Sequence, residues 1–136
     1  MQTPGEPAVP DKILVEATGM AKALGDETRM RILALLENQE LCACQIIEMF
    51  ELANSTISRH LAVLKQAGLV QSRKSGRWIY FSWVEEPAGN AQFLQQWLST
   101  VVSQDPQVRQ DRERIREILK IDPEALCRIQ NGKDCC

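Results

Sequence analysis

Residues 44–83, CQIIEMFELANSTISRHLAVLKQAGLVQSRKSGRWIYFSW, decide the fold. The run opens on a short helical segment, about Cys44 to Phe50, and turns at Leu52 to Asn54. A second helical segment carries Ile57, Leu61, Leu64 and Ala67 on one face and stops at Gly68. Two short helices across a tight turn predict a helix-turn-helix. Past Gly68 the pattern changes to two strand-like runs, Leu69 to Arg73 and Trp78 to Trp83. The second is rich in aromatic and β-branched residues, and Lys74, Ser75, Gly76 and Arg77 separate the two. The stretch predicts a mostly α chain with a β-hairpin wing, a winged helix-turn-helix.

Upstream, Ile13, Leu14, Ala17, Met20, Ala21 and Leu24 recur at helical spacing, with Asp11 behind Pro10 as a cap and Gly25 as a stop. Asp26 then caps a second helix carrying Met30, Ile32, Leu33, Leu35 and Leu36, which gives out near Asn38. Downstream of the wing, helical spacing returns with Phe93, Leu94, Trp97, Leu98, Val101 and Val102. A charged helical segment follows from about Gln110 to Ile121, ahead of Asp122 and Pro123, and the end from Asn131 to Cys136 reads as frayed. The expected division is a flexible tail over 1–10, a winged helix-turn-helix and dimerisation domain over 11–103, and a helical extension with a cysteine-containing tail over 104–136.

At 136 residues there is room for one domain, so function must share its scaffold. An apolar fraction of 44% with 25% charged residues is ordinary for a soluble protein, and no apolar run approaches the roughly 18 residues of a membrane span. Met1 to Pro10 lacks the basic and apolar regions of a signal peptide, so a cytoplasmic location is expected. The net charge of -2 conceals a steep asymmetry. From Leu52 to Val84 there is no Asp or Glu, while Arg59, Lys65, Arg73, Lys74 and Arg77 are basic; the rest of the chain sets eleven basic residues against all eighteen acids.

A polyanion partner demands such a segment. With its apolar face inward, the second helix of the pair offers Ser55, Thr56, Ser58, Arg59 and His60 to a major groove. The hydroxyls suit phosphates or base edges, and Arg59 suits a guanine edge or a phosphate. Ser55 is also a candidate cap. Lys65, Arg73, Lys74 and Arg77 complete the expected DNA surface, with Arg77 beside Gly76 placed for a minor groove or a phosphate. For an isolated helix, a solvated polar face is the commoner explanation; the acid-free context and the basic wing reverse that preference. Trp78, Tyr80 and Phe81 are expected to pack rather than stack on bases, because a duplex presents no splayed bases. His60, the single histidine, is assigned to DNA or water rather than metal.

Five cysteines in a cytosolic chain are not expected to form a disulfide framework, since the compartment is reducing and the number is odd. Cys42 and Cys44 fall where the chain enters the third helix, at its positive end, where thiolates form more readily and take soft cations. Side chains at i and i+2 diverge on a helix, so the pair can hold one ion only if the segment is extended or becomes distorted. Binding there would pull on the third helix and shift the reading helix packed against it. The plain alternative is two small buried apolar residues. Cys127, Cys135 and Cys136 are candidate sources of a third thiolate, from the same or a partner subunit, or simply part of a tail. No second pair or histidine completes a structural zinc site.

With these residues placed, the chain resembles the ArsR/SmtB family of metal-responsive repressors over about residues 13 to 102. Ala23-Leu24-Gly25-Asp26-Glu27-Thr28-Arg29 resembles the family's second-helix opening, and Glu40-Leu41-Cys42-Ala43-Cys44 its metal-binding box. Ser58-Arg59-His60-Leu61 and Leu64-Lys65-Gln66-Ala67-Gly68-Leu69-Val70 resemble its recognition helix and exit, and Gly76-Arg77-Trp78 its wing. The resemblance implies a homodimer joined by the first and post-wing helices, with Phe93, Trp97 and Val101 in the seam, that leaves a palindromic operator when metal arrives. It also implies trivalent arsenic or antimony as inducer, without an organic cofactor; cadmium and lead sensors share the Cys-x-Cys box. Ile47 stands where arsenic-type boxes often have a third cysteine, no cysteine precedes Cys42 as in cadmium-type members, and the family's post-wing zinc site needs more histidines than His60.

An enzyme fits poorly, since neither Cys42 nor Cys44 opens a phosphate-cradling loop and no base accompanies them. A repressor switched by thiol oxidation and a winged helix that binds a protein are the remaining alternatives.

Overall fold

The computed structural model describes residues 12–85 and 90–131. The expected cap Asp11, the tail over 1–10, Cys135 and Cys136 lie outside these residues. Helix α1 spans Ile13–Leu24 and α2 spans Glu27–Leu35. Asp26 caps α2 as its position predicts, its carboxylate accepting from the Arg29 backbone N–H at 3.1 Å. Arg29 then reaches back over the open end of α1, donating to the carbonyls of Ala23 at 2.6 Å and Lys22 at 2.9 Å. A cation from the next helix thus bonds the last carbonyls of α1, that of Lys22 in addition to its bond from the Gly25 N–H, and fixes the corner between the two.

Strand β1 is only Leu41–Cys42, followed at once by α3, Ala43–Met49. Helix α4 runs Asn54–Gln66 and buries Ile57, Leu61 and Leu64 against α2 and α3, as their spacing predicts. Gly68, at φ +78, takes the left-handed turn that releases the chain into β2, Val70–Ser75; Gly76, at φ +60, makes the tip before β3, Trp78–Trp83. The wing is larger than the expected hairpin. It is an antiparallel sheet in the order β1-β3-β2, in which Leu41 pairs with Phe81 and Cys42 with Tyr80. The indole of Trp83 donates to the Leu33 carbonyl at 2.8 Å, anchoring the sheet's base to α2.

Helix α5, Asn90–Val101, leads through a 3-10 turn at Val102–Gln104 into α6, Pro106–Ile118, and α7, Pro123–Asn131. The charged segment therefore starts earlier than Gln110. Asp105 caps it, accepting from the Gln107 N–H at 2.8 Å, with Pro106 in the first turn. Both C-terminal helices share the core of the N-terminal ones: Ile115, Ile118, Leu126 and Cys127 belong to the same buried cluster as Ile32, Ile46 and Leu64. A polar clasp reinforces the seam. Arg31 on α2 makes a two-pronged bond to Asp111 on α6, 2.8 Å at each oxygen, and lies over the Phe50 ring at 4.8 Å. Asp111 is 3% exposed, and its carboxylate raises the Arg31 pKa further above its ordinary value. Among the described residues no helix is long and apolar enough to cross a membrane.

Candidate nucleic-acid interface and thiol site

On α4 the structure leaves Ser55, Ser58 and Arg59 exposed and Thr56 half-buried, all on the side away from Ile57 and Leu61. Ser55 is not the cap; Ala53 occupies that position without a side-chain bond. His60 is half-buried, and its Nδ1 lies 3.1 Å from Arg29 Nη1. Because arginine can only donate, Nδ1 accepts, leaving Nε2 as the nitrogen turned to other partners. The reading helix is thereby tied to the corner between α1 and α2.

Lys65, in the last turn of α4, donates to Ser72 Oγ of the wing at 2.8 Å, and Lys74 in the wing is exposed. Arg73 makes two bonds to Glu40, at 2.7 and 2.6 Å, and stacks over Tyr80 at 4.6 Å. Arg77 lies 2.8 Å from Glu124 of α7 and 5.1 Å from the Trp78 ring centre. Acids from outside the acid-free segment thus fold back onto both wing arginines. The charge asymmetry pointed to the arginines but not to Glu40 or Glu124; the only sequence signal for Glu40 was its place beside the cysteine box. Arg73 holds the Glu40 carboxyl below its ordinary pKa, and Arg77 followed by Arg128 does the same to Glu124. A lowered carboxylate pKa keeps both pairs ionised down through the usual carboxylate range, and they open only as pH falls through the lowered values.

Cys42 and Cys44 resolve the question of divergent side chains. Cys42 is the last residue of β1 and has extended backbone, φ -70 and ψ 148, while Cys44 is already in the first turn of α3. The bend between them brings the two Sγ atoms to 3.2 Å, with both residues 0% exposed. Gln45, itself buried, accepts from the Cys42 N–H at 2.8 Å and fixes the bend. One sulfur therefore belongs to the wing sheet and the other to the first helix of the helix-turn-helix.

Helix α7 closes over this pair. The Pro123 carbonyl lies 4.0 Å from Cys44 Sγ, and the Gln130 amide donates to the Cys44 carbonyl at 2.9 Å and to Glu48 at 3.0 Å. Cys127 lies between Pro123 and Gln130 on the same helical stripe, 1% exposed. It is disulfide-bonded, against the expectation of thiols throughout. Among the described residues no three His, Cys, Asp or Glu side chains are gathered closely enough to hold a metal ion.

The model of the bacterial regulatory protein, arsR family, matches residues 26–72, from the cap of α2 into β2. The HTH-type transcriptional regulator MJ1325 of Methanocaldococcus jannaschii is 44% identical over 72 residues, which span 52% of this chain and 81% of that protein. This chain belongs to the arsR family. The arsenic resistance transcriptional regulator ArsR1 of Pseudomonas putida is 38% identical over 87 residues, 57% of this chain and 68% of that protein. A cadmium resistance regulatory protein, the CadC homolog of Staphylococcus aureus, is 39% identical over 66 residues, 48% and 54% of the two chains. Among solved structures, HlyU of Vibrio cholerae superposes with a TM-score of 0.58 at 27% identity, covering 70% of this chain and all of that one. The homodimeric winged helix-turn-helix DNA-binding domain of Mb0332 from Mycobacterium bovis gives 0.57 at 26% identity, covering 74% and 91%. Family and fold are those of DNA-binding transcriptional regulators and not of enzymes.

Proposed function

We propose that this arsR-family regulator is a homodimeric repressor that binds operator DNA and releases it when trivalent arsenic or antimony is captured by Cys42 and Cys44. The observation that carries the reading is the 3.2 Å contact between two buried sulfurs, one in the wing sheet and one in the helix-turn-helix. Trivalent arsenic takes sulfur donors in a pyramid with angles near a right angle, so its sulfurs sit close together. Capture would exchange two hydroxyls of arsenous acid for the Cys42 and Cys44 sulfurs with release of two waters, and the third position would keep its hydroxyl, since Cys127 is held in a disulfide. Neither sulfur is open to solvent, so an inducer cannot reach them without displacing β1, α3 or α7, and β1 and α3 are packed against β3 and α4, the elements this reading sets on DNA.

The operator surface of this reading comprises Ser55, Thr56, Ser58, Arg59, His60 and Lys65 on α4, with Arg73, Lys74 and Arg77 at the wing. Arg59→Ala is expected to weaken operator binding by about 1–3 kcal/mol if it reads a base edge, checked by fluorescence anisotropy; unchanged affinity removes Arg59 from the interface. Dimerisation is supported by apolar surface left open on α1 and α5: Leu14 is 80% exposed and Phe93 72%, beside a groove lined by Met20, Leu24, Leu94 and Trp97. Phe93→Asp is expected to give monomers at micromolar concentration in sedimentation velocity, and an unaltered dimer would place the seam elsewhere.

A thiol-redox reading is favoured by one observation, the disulfide at Cys127 on the helix that covers Cys44. The deciding experiment titrates arsenite, and separately cadmium and peroxide, into the fully reduced protein on a labelled duplex from its own upstream region. Release by arsenite alone supports the metalloid reading; release by cadmium or only by peroxide replaces it.

A further inference from the structure

The extension after α5 has one feature the repressor reading does not use: α7 touches the cysteine box along its length and the wing at its start. Near its start, Glu124 accepts from Arg77 at 2.8 Å and from Arg128 at 2.9 Å. The neighbouring Pro123 carbonyl faces Cys44 Sγ, and Gln130, two turns on, holds the Cys44 carbonyl. Arg114 of α6 adds a bond to the Glu48 carbonyl at 3.1 Å, so α3 is gripped along its length by the extension.

We propose that α7 is a built-in competitor for DNA at the wing: Glu124 occupies the guanidinium of Arg77 that would otherwise meet a phosphate, and a phosphate must displace it. The proposal rests on the DNA-binding reading of the wing. Three observations support it. The pair joins two elements remote in sequence, residues 77 and 124, so it is no by-product of local helix geometry. Both side chains are partly open, 40% and 39% exposed, so the pair can exchange partners without unfolding anything. Arg128 already shares the Glu124 carboxylate, so the acid keeps a cation when Arg77 leaves. A carboxylate and a phosphate oxygen present the same acceptor chemistry to a guanidinium, which makes the exchange nearly even in hydrogen bonds. Because the carboxylate travels with a helix seated on Cys44, any change at the thiol pair that moves α7 also changes its hold on Arg77.

The test is a double-mutant cycle on operator affinity, by fluorescence anisotropy at fixed salt, with the full-length reduced protein as wild type, Glu124→Gln, Arg77→Ala and both. Glu124→Gln is expected to tighten binding about two- to fivefold, the range of an exposed ion pair. Arg77→Ala is expected to weaken binding, and Glu124→Gln to have no effect in the Arg77→Ala background. If Glu124→Gln changes nothing while Arg77→Ala weakens binding, the competition is overturned and the wing reading stands. If the gain persists in the Arg77→Ala background, it is general repulsion between an acid and DNA, and the competition is again overturned. If Arg77→Ala binds as wild type, the wing reading itself fails.

Discussion

Cys44→Ser is expected to abolish the arsenite response while leaving a folded protein that still binds its operator. With both thiols, the second arsenic–sulfur bond forms inside one molecule at high effective concentration; with one, that advantage of about 10²- to 10⁴-fold is lost. Isothermal titration with arsenite and operator release by anisotropy should fail together, and an undiminished response would remove the pair from the inducer site. Burial complicates the choice of variant. Cys44 is 0% exposed, and a serine hydroxyl without a partner there costs roughly 1–3 kcal/mol. Cys44→Ala avoids that penalty at the cost of a small void, so concordant loss in both variants separates chemistry from folding. The same pair of substitutions at Cys42 should behave alike, with an added effect on the wing because Cys42 pairs with Tyr80.

The second large effect is structural. Asp111→Ala removes the carboxylate that receives both Arg31 bonds and also the Gln107 amide at 2.9 Å. Breaking a buried pair by deleting one member costs about 3–5 kcal/mol. The Arg31 side chain is 30% exposed and keeps some solvent, so the lower end, about 3 kcal/mol, is expected. In thermal denaturation that is a fall of roughly 10 °C for a chain of this size. Arg31→Met combined with Asp111→Leu should recover much of the loss, since replacing both partners leaves no orphaned charge. A wild-type melting point for Asp111→Ala would show that α6 is held by its apolar face alone.

How far the sequence reaches is set by whether a feature leaves a periodic trace. Helix α1 falls on the expected Ile13 to Leu24, and β3 on Trp78 to Trp83, because both have long patterns with glycine at a boundary. Strand β1 has two residues, too short to show any period, and its pairing with β3 joins residues forty positions apart. Helix α7 was missed for a different reason. The expected segment stops at Ile121, ahead of Asp122 and Pro123, but an Asp-Pro pair equally marks the start of the next helix, as Asp105-Pro106 does for α6. At the candidate site the basic residues were legible from charge alone. Their partners Glu40 and Glu124 were not, because tertiary ion pairs follow no spacing rule. The proximity of Cys42 to Cys44 depended on where an extended residue gives way to a helical one, a boundary that pattern reading places only to within a residue or two.

The position of Cys42 in the wing sheet bears on how such a regulator changes over generations. In a protein with a separate sensing domain, a new signal can be acquired by exchanging that domain for another. Here the cysteine that would meet the signal is also a rung of the ladder that shapes the wing, and its neighbour two residues on lies in the first turn of the helix that supports the reading helix. Between these two cysteines there is no seam at which to cut. A lineage built this way can diversify its responses by single replacements at buried positions around residues 42 to 47 and along the helix that covers them. Each such replacement is screened at once for whether the wing still forms.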